Sequence, residues 1–129
     1  MFLCIDTTLN NKIVLYYSED TGWQKIVREL APPQALLGIV EEVLRSHGQG
    51  QAALQGLAVV VGQGSFTATR VAVTVGNTLA LAWGKPIVAL LDSAMIYQVP
   101  ELISQRACGQ YILPIYSGEP RIGARLRTV

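Results

Sequence analysis

A chain of 129 residues has room for one domain of ordinary size, and with half of its residues apolar it can bury a full core. Its net charge of +1 argues neither for nor against nucleic acid, and its 15% of charged residues, against about a quarter in an average domain, leaves an unusually small charged surface. Cys4 lies in an apolar stretch and Cys108 stands alone without a C-x-x-C partner, which excludes a disulfide framework and fits reduced thiols in a cytosolic protein.

The opening residues form a short apolar run without the basic start of a signal peptide, so no leader is expected. Residues 2–5 predict a strand that ends in the polar turn Asp6-Thr7-Thr8-Leu9-Asn10-Asn11. Residues 12–17 predict a second strand, and residues 23–30 a third with Trp23, Lys25, Val27 and Glu29 on one face. Pro32 and Pro33 break this antiparallel meander, and Pro33 suits the first turn of a helix. Leu36, Leu37, Val40, Val43 and Leu44 then recur at helical spacing opposite Glu41, Glu42 and Arg45, with Gly48 as a C-cap. Residues 57–61, a solid valine-rich run, predict a strand buried on both faces. Residues 66–83 predict a long helix that ends at Gly84-Lys85-Pro86. A further buried strand over 87–91 leads to Asp92 or Ser93 as the cap of a short helix to about residue 99. Residues 100–106 either extend that helix or form another turn, and residues 111–115 predict a final strand. Residues 1–117 are expected to form one lobe, and residues 118–129, with Arg121, Arg125 and Arg127, an extended basic tail.

The stretch Gly62-Gln63-Gly64-Ser65-Phe66-Thr67-Ala68-Thr69-Arg70 organises the chain. Two glycines one residue apart allow a sharp strand-to-helix turn, and Ser65 and Thr67 are both candidate N-caps. Within the helix, Ala68, Ala72, Gly76 and Ala80 form a stripe of small side chains, flanked by Val71, Val75, Leu79 and Ala82. No charge occurs from Val71 to Gly84, so this helix must be covered on more than one side. Two readings stand at this point. In one, the chain's own core covers the stripe; in the other, a second helix and a partner protein do. The uncharged run is shorter than the roughly 20 residues of a membrane span and contains Asn77, so no membrane association is expected.

Three antiparallel strands followed by helix-strand crossovers define an α/β fold with a mixed sheet, the layout of a single ribonuclease H-like lobe of the actin, Hsp70 and sugar-kinase superfamily. Here the residues carry a family resemblance. Leu3-Cys4-Ile5-Asp6-Thr7-Thr8 resembles the I-D-T-S start of the TsaB (YeaZ) family, and Val61-Gly62-Gln63-Gly64-Ser65-Phe66-Thr67-Ala68-Thr69-Arg70 resembles its signature G-P-G-S-F-T-G-L-R. Asp6, Thr7, Gly62, Gly64, Ser65, Phe66, Thr67 and Arg70 match; Gln63 replaces a proline and Ala68 a glycine, which alters the local turn. The resemblance covers roughly residues 1–99. Family members have two lobes, and this chain has room for one; Pro114-x-Tyr116-x-x-x-Pro120 is similar to the family's C-terminal pattern and implies an internal loss of the second lobe.

The resemblance implies a non-catalytic scaffold, with no cofactor of its own. Its partner would be the TsaD-type subunit that places threonylcarbamoyl on N6 of adenosine 37 in tRNAs, together with the associated ATPase subunit. Alone, such a chain is expected to homodimerise in the cytoplasm; tRNA contact would be indirect or is left open, including any contact by the basic tail. Pairing would use the two helices over 33–47 and 67–83, with Leu36, Leu37, Val40, Val43, Ala68, Val71, Ala72, Val75, Gly76, Leu79 and Ala80 as interface. Catalytic readings are weaker. Asp6-Thr7-Thr8 sits where superfamily kinases place a phosphate-binding hairpin, but one lobe supplies only half of an interlobe cleft. Gly62-Gln63-Gly64-Ser65 could receive an anion at a helix N-terminus, yet it lacks the lysine of a P-loop and the third glycine of a dinucleotide fingerprint. Arg70 fits a phosphate, a partner or a surface pair. His47, the single histidine, suits a helix C-terminus and cannot form a paired-histidine metal site. The alternative function is a degenerate lobe that binds ATP or another small ligand as a homodimer.

Overall fold

The computed structural model describes residues 1–46, 50–62 and 66–114. Its strands are β1 (Phe2–Asp6), β2 (Lys12–Glu19), β3 (Gly22–Glu29), β4 (Gly56–Val60) and β5 (Ile87–Leu90). Its helices are α1 (Leu36–Ser46), α2 (Phe66–Trp83) and α3 (Val99–Ser104). Short 3-10 segments, Pro33–Ala35 and Ser93–Gln98, lead into α1 and α3. The five strands form one sheet in the order β3-β2-β1-β4-β5. β1, β2 and β3 pair antiparallel, while β1–β4 and β4–β5 are parallel, so the expected meander followed by crossovers is present.

Register decides which side chains meet. Cys4 lies beside Tyr16 and Ala58, and Ala58 beside Val88; Ile5 lies beside Leu15 and Val59. Because side chains alternate across a strand, these two rows face opposite layers. Leu3, Ile5, Leu15, Leu57, Val59 and Ile87 form the larger core with Leu36, Val40 and Val43 of α1 and Ala72 and Ala80 of α2. Cys4, Ala58, Val60, Val88 and Leu90 form the smaller one with Val99 and Ile103 of α3, edged by Tyr16 and Trp23.

Local chemistry places the element ends. Gly84, at φ +64°, closes α2: its N–H and that of Lys85 donate to the carbonyls of Leu81 and Ala80 at 3.3 and 2.9 Å. Asp92 caps the turn before α3 by accepting from the Ala94 N–H at 2.8 Å. β3 stops at Leu30, a bulky residue in the left-handed region at φ +54°.

Two expectations change. The helix expected over 33–47 begins as a 3-10 turn and is α-helical only from Leu36; His47 and the Gly48 cap lie outside the described residues. The strand expected at 111–115 is irregular over 111–114. The Ile112 N–H donates to the Asn77 side-chain oxygen and its carbonyl accepts from the Asn77 amide nitrogen, both at 2.9 Å. One α2 side chain thus satisfies both backbone groups of Ile112. Ile115 and the basic tail lie outside the described residues.

Candidate functional site

The residues of the first motif act as a joint. The Asp6 carboxylate accepts from the Thr8 N–H at 2.8 Å and from its hydroxyl at 2.6 Å, an Asx turn that ends β1. The buried Thr7 hydroxyl donates to the carbonyl of Ala68 at 3.1 Å, tying the strand end to the first turn of α2. Gly62 lies against the carbonyl oxygen of Leu91, where any β-carbon would overlap it, so this position requires glycine. Gly64 and Ser65 lie outside the described residues, and Phe66 begins α2. The cavity at this joint, between Thr7, Asn10, Pro33 and Ala68, has a volume of about 80 Å³. Ligand pockets usually hold about 300 Å³ or more, so this joint is built to hold strand and helix together. Beneath it, burial pushes the Cys4 thiol well above its ordinary pKa and the Asp6 carboxylate adds to the effect, which leaves the thiol protonated and unreactive.

The second predicted site is the face of α1 and α2, and here the geometry corrects several residues. Ala72, Gly76 and Ala80 point at the sheet: Ala72 and Ala80 are buried, and a β-carbon on Gly76 would come within 2.8 Å of Val59 and 3.1 Å of Ile87. The small side chains let α2 sit close on the chain's own sheet and are not available to a partner. Leu36, Val40, Val43 and Leu79 are also buried in the same core, because the apolar stripe of an amphipathic helix faces inward. Ala68, Val71 and Val75 remain half-buried at the helix margin, and Leu37 is 45% exposed. Thr69 belongs to the inner row, with its hydroxyl buried and without a hydrogen-bond partner among the described residues.

The outer row of α2 is Thr67, Arg70, Thr74, Thr78 and Leu81. With Val71 and Val75, its first three residues line an open groove of about 350 Å³. Thr74, Thr78 and Leu81 were missed by sequence reasoning. Their spacing of four and three residues was visible, but the uncharged helix gave no polarity contrast to say which row faced out. Among the described residues no group of three His, Cys, Asp or Glu side chains is placed to hold a metal, and no helix is long and apolar enough to cross a membrane.

A five-stranded mixed sheet in this order, with α1 and α2 on one face and α3 on the other, is a ribonuclease H-like lobe. Comparison with known proteins makes the assignment narrower. The chain belongs to the TsaD family, described as tRNA N6-adenosine threonylcarbamoyltransferase, whose model matches residues 33–118. A protein of that name from Anaeromyxobacter dehalogenans strain 2CP-C is 36% identical over 87 residues, covering 60% of this chain and 26% of its own length. The protein of the same name from strain 2CP-1 matches equally, at 36% over 87 residues. Among solved structures, YeaZ from Pseudomonas aeruginosa superposes with a TM-score of 0.64 at 24% identity over 81% of this chain and 49% of that one. A protein described as similar to peptidase YeaZ from Pseudomonas aeruginosa gives 0.63 at 27%, over 78% of this chain and 47% of that one. The chain therefore spans about a quarter of the curated relatives and about half of the solved structures. The TsaB (YeaZ) resemblance carried by the two motifs is borne out, and the relation is to tRNA threonylcarbamoyladenosine modification.

Proposed function

We propose that the chain is a non-catalytic assembly lobe of tRNA N6-threonylcarbamoyladenosine synthesis, docking on a TsaD-type transferase through the outer face of α1 and α2. The observation that carries this reading is the outer row of α2. An 18-residue helix with Arg70 as its single charge presents an open groove beside Val71 and Val75, in the same helical layer as exposed Leu37. A rigid helix face poor in charge loses little on desolvation, which suits a protein partner better than a polar substrate. The non-catalytic part rests on the chain's single histidine, which cannot supply the paired-histidine metal site of the transferase. In this reading the lobe is residues 1–117, the ATPase subunit joins through the transferase, tRNA contact is indirect, and the complex is cytoplasmic. Without the transferase, the same helix face supports a homodimer.

The test is light scattering coupled to size exclusion on the chain mixed with the TsaD-type subunit of the same source. A mixed peak is expected, and Val71→Arg should abolish it without changing the melting temperature. Failure to form that peak at micromolar concentrations would reject the reading. The alternative, a lobe that binds ATP, draws on the buried Asp6 beside the start of α2. Calorimetric titration with ATP and magnesium is expected to give no heat, in line with the small cavity at that joint.

A further inference from the structure

β5 ends the sheet opposite β3, and among the described residues no strand pairs with its outer edge. The carbonyls of Pro86 and Leu90 turn inward and accept from the N–H groups of Leu57 and Val61 at 3.0 and 2.7 Å. Backbone direction alternates along a strand, so the polar groups of Ile87 and Ala89 turn outward. Arg106 donates from Nε to the Ile87 carbonyl at 2.9 Å. Among the described residues nothing takes the N–H and carbonyl of Ala89, which is exposed in an otherwise buried strand. Beside this edge lies an open groove of about 420 Å³, lined by Val88 and Ala89 of β5, Leu102 and Arg106, and Tyr111 and Leu113. We propose that residues 122–128 of this same chain fill the groove as a sixth strand, antiparallel to β5.

The observations that select this occupant are position, reach and pattern. The described chain ends at Pro114, one residue past Leu113 of the groove, and residues 115–129 lie outside the described residues. Residues 115–121 span about 20 Å when extended, more than the length of four-residue β5. Ser117-Gly118-Glu119-Pro120 is a turn sequence, and this connection is shorter than the crossover of about a dozen residues that a parallel return requires. Beyond it, Ile122, Ala124 and Leu126 alternate with Gly123, Arg125 and Arg127, the period of a strand with one buried and one solvated face. The apolar row faces the groove, where Leu102 and Leu113 lie; the basic row faces water, away from Arg106 in the groove wall. A tethered strand also meets the edge at an effective concentration on the order of millimolar, which favours it over a separate molecule. An open edge invites unwanted pairing, and a strand from the same chain covers it. The helix face of α1 and α2 is untouched, so this proposal is independent of the transferase reading.

Hydrogen exchange followed by NMR on the full chain tests the pairing at one atom. The Ala89 amide is expected to exchange at least about tenfold more slowly than an exposed, unpaired amide. Leu126→Asp puts a charge on the apolar row and should remove that protection; Ile122→Asp should do the same from the other end of the row. Arg127→Asp, on the solvated row, should leave the Ala89 rate within about twofold. The Val59 amide, in the centre of β4, serves as the control for an intact lobe and should stay protected in all three variants. An unprotected Ala89 amide in the unaltered chain would overturn the proposal. So would protection that survives both Leu126→Asp and Ile122→Asp, or that is lost equally on Arg127→Asp. Protection that rises with protein concentration would place a separate molecule on the edge and overturn it too.

Discussion

α1 and α2 cover the same side of the sheet, yet their sequences separate inside from outside by different means. In α1 the division is by polarity: Leu36, Ile39, Val40, Val43 and Leu44 are buried, while Glu41, Glu42 and Arg45 are exposed. Arg28 of β3 forms an ion pair with Glu42 on that outer side. In α2 the division is by size. Its buried row holds Ala72, Gly76 and Ala80, and its exposed row holds Thr67, Thr74 and Thr78, with Leu81 left 75% exposed. A polar row announces its own orientation. A row of small residues announces only that something comes close, which here is the sheet.

Four substitutions probe that comparison. Leu36→Ala in α1 should cost about 3 kcal/mol in urea unfolding, because the cavity opens in the larger core. Gly76→Leu should cost about 2 kcal/mol, the overlap with Val59 and Ile87 being partly offset by the better helix propensity of leucine. A neutral Gly76→Leu would mean that α2 does not seat on the sheet as described. Asn77→Ala should cost about 1 kcal/mol and speed hydrogen exchange at the Ile112 amide, since it removes both bonds to that backbone unit. Thr74→Leu, on the outer row two positions before Gly76, should change stability by less than about 0.5 kcal/mol. A large effect there would move the exposed face of α2 elsewhere.

The strands were legible because valine-rich runs and polar turns punctuate them, and their order was enough to name the layout. β4 and β5 came within a residue or two of their observed ends, as did the start and end of α2. The segment at 111–114 was not legible as an irregular run. Tyr111-Ile112-Leu113 has strand composition, and only the placement of Asn77 shows that its backbone is satisfied from a helix side chain. The candidate interface was half legible. The two helices could be chosen from the family resemblance, but a residue such as Val40 or Ala72 could be assigned to core or partner only once the sheet was in place beneath it.

By itself, then, the sequence determined the element order, the glycine-bearing turn into α2 and the resemblance to TsaB, because each is written in local spacing and residue type. Tertiary structure alone decided which way α2 faces and that Thr7 ties β1 to Ala68. Those facts depend on which segments distant in the chain become neighbours. An uncharged helix has no preferred outside until the sheet supplies an inside.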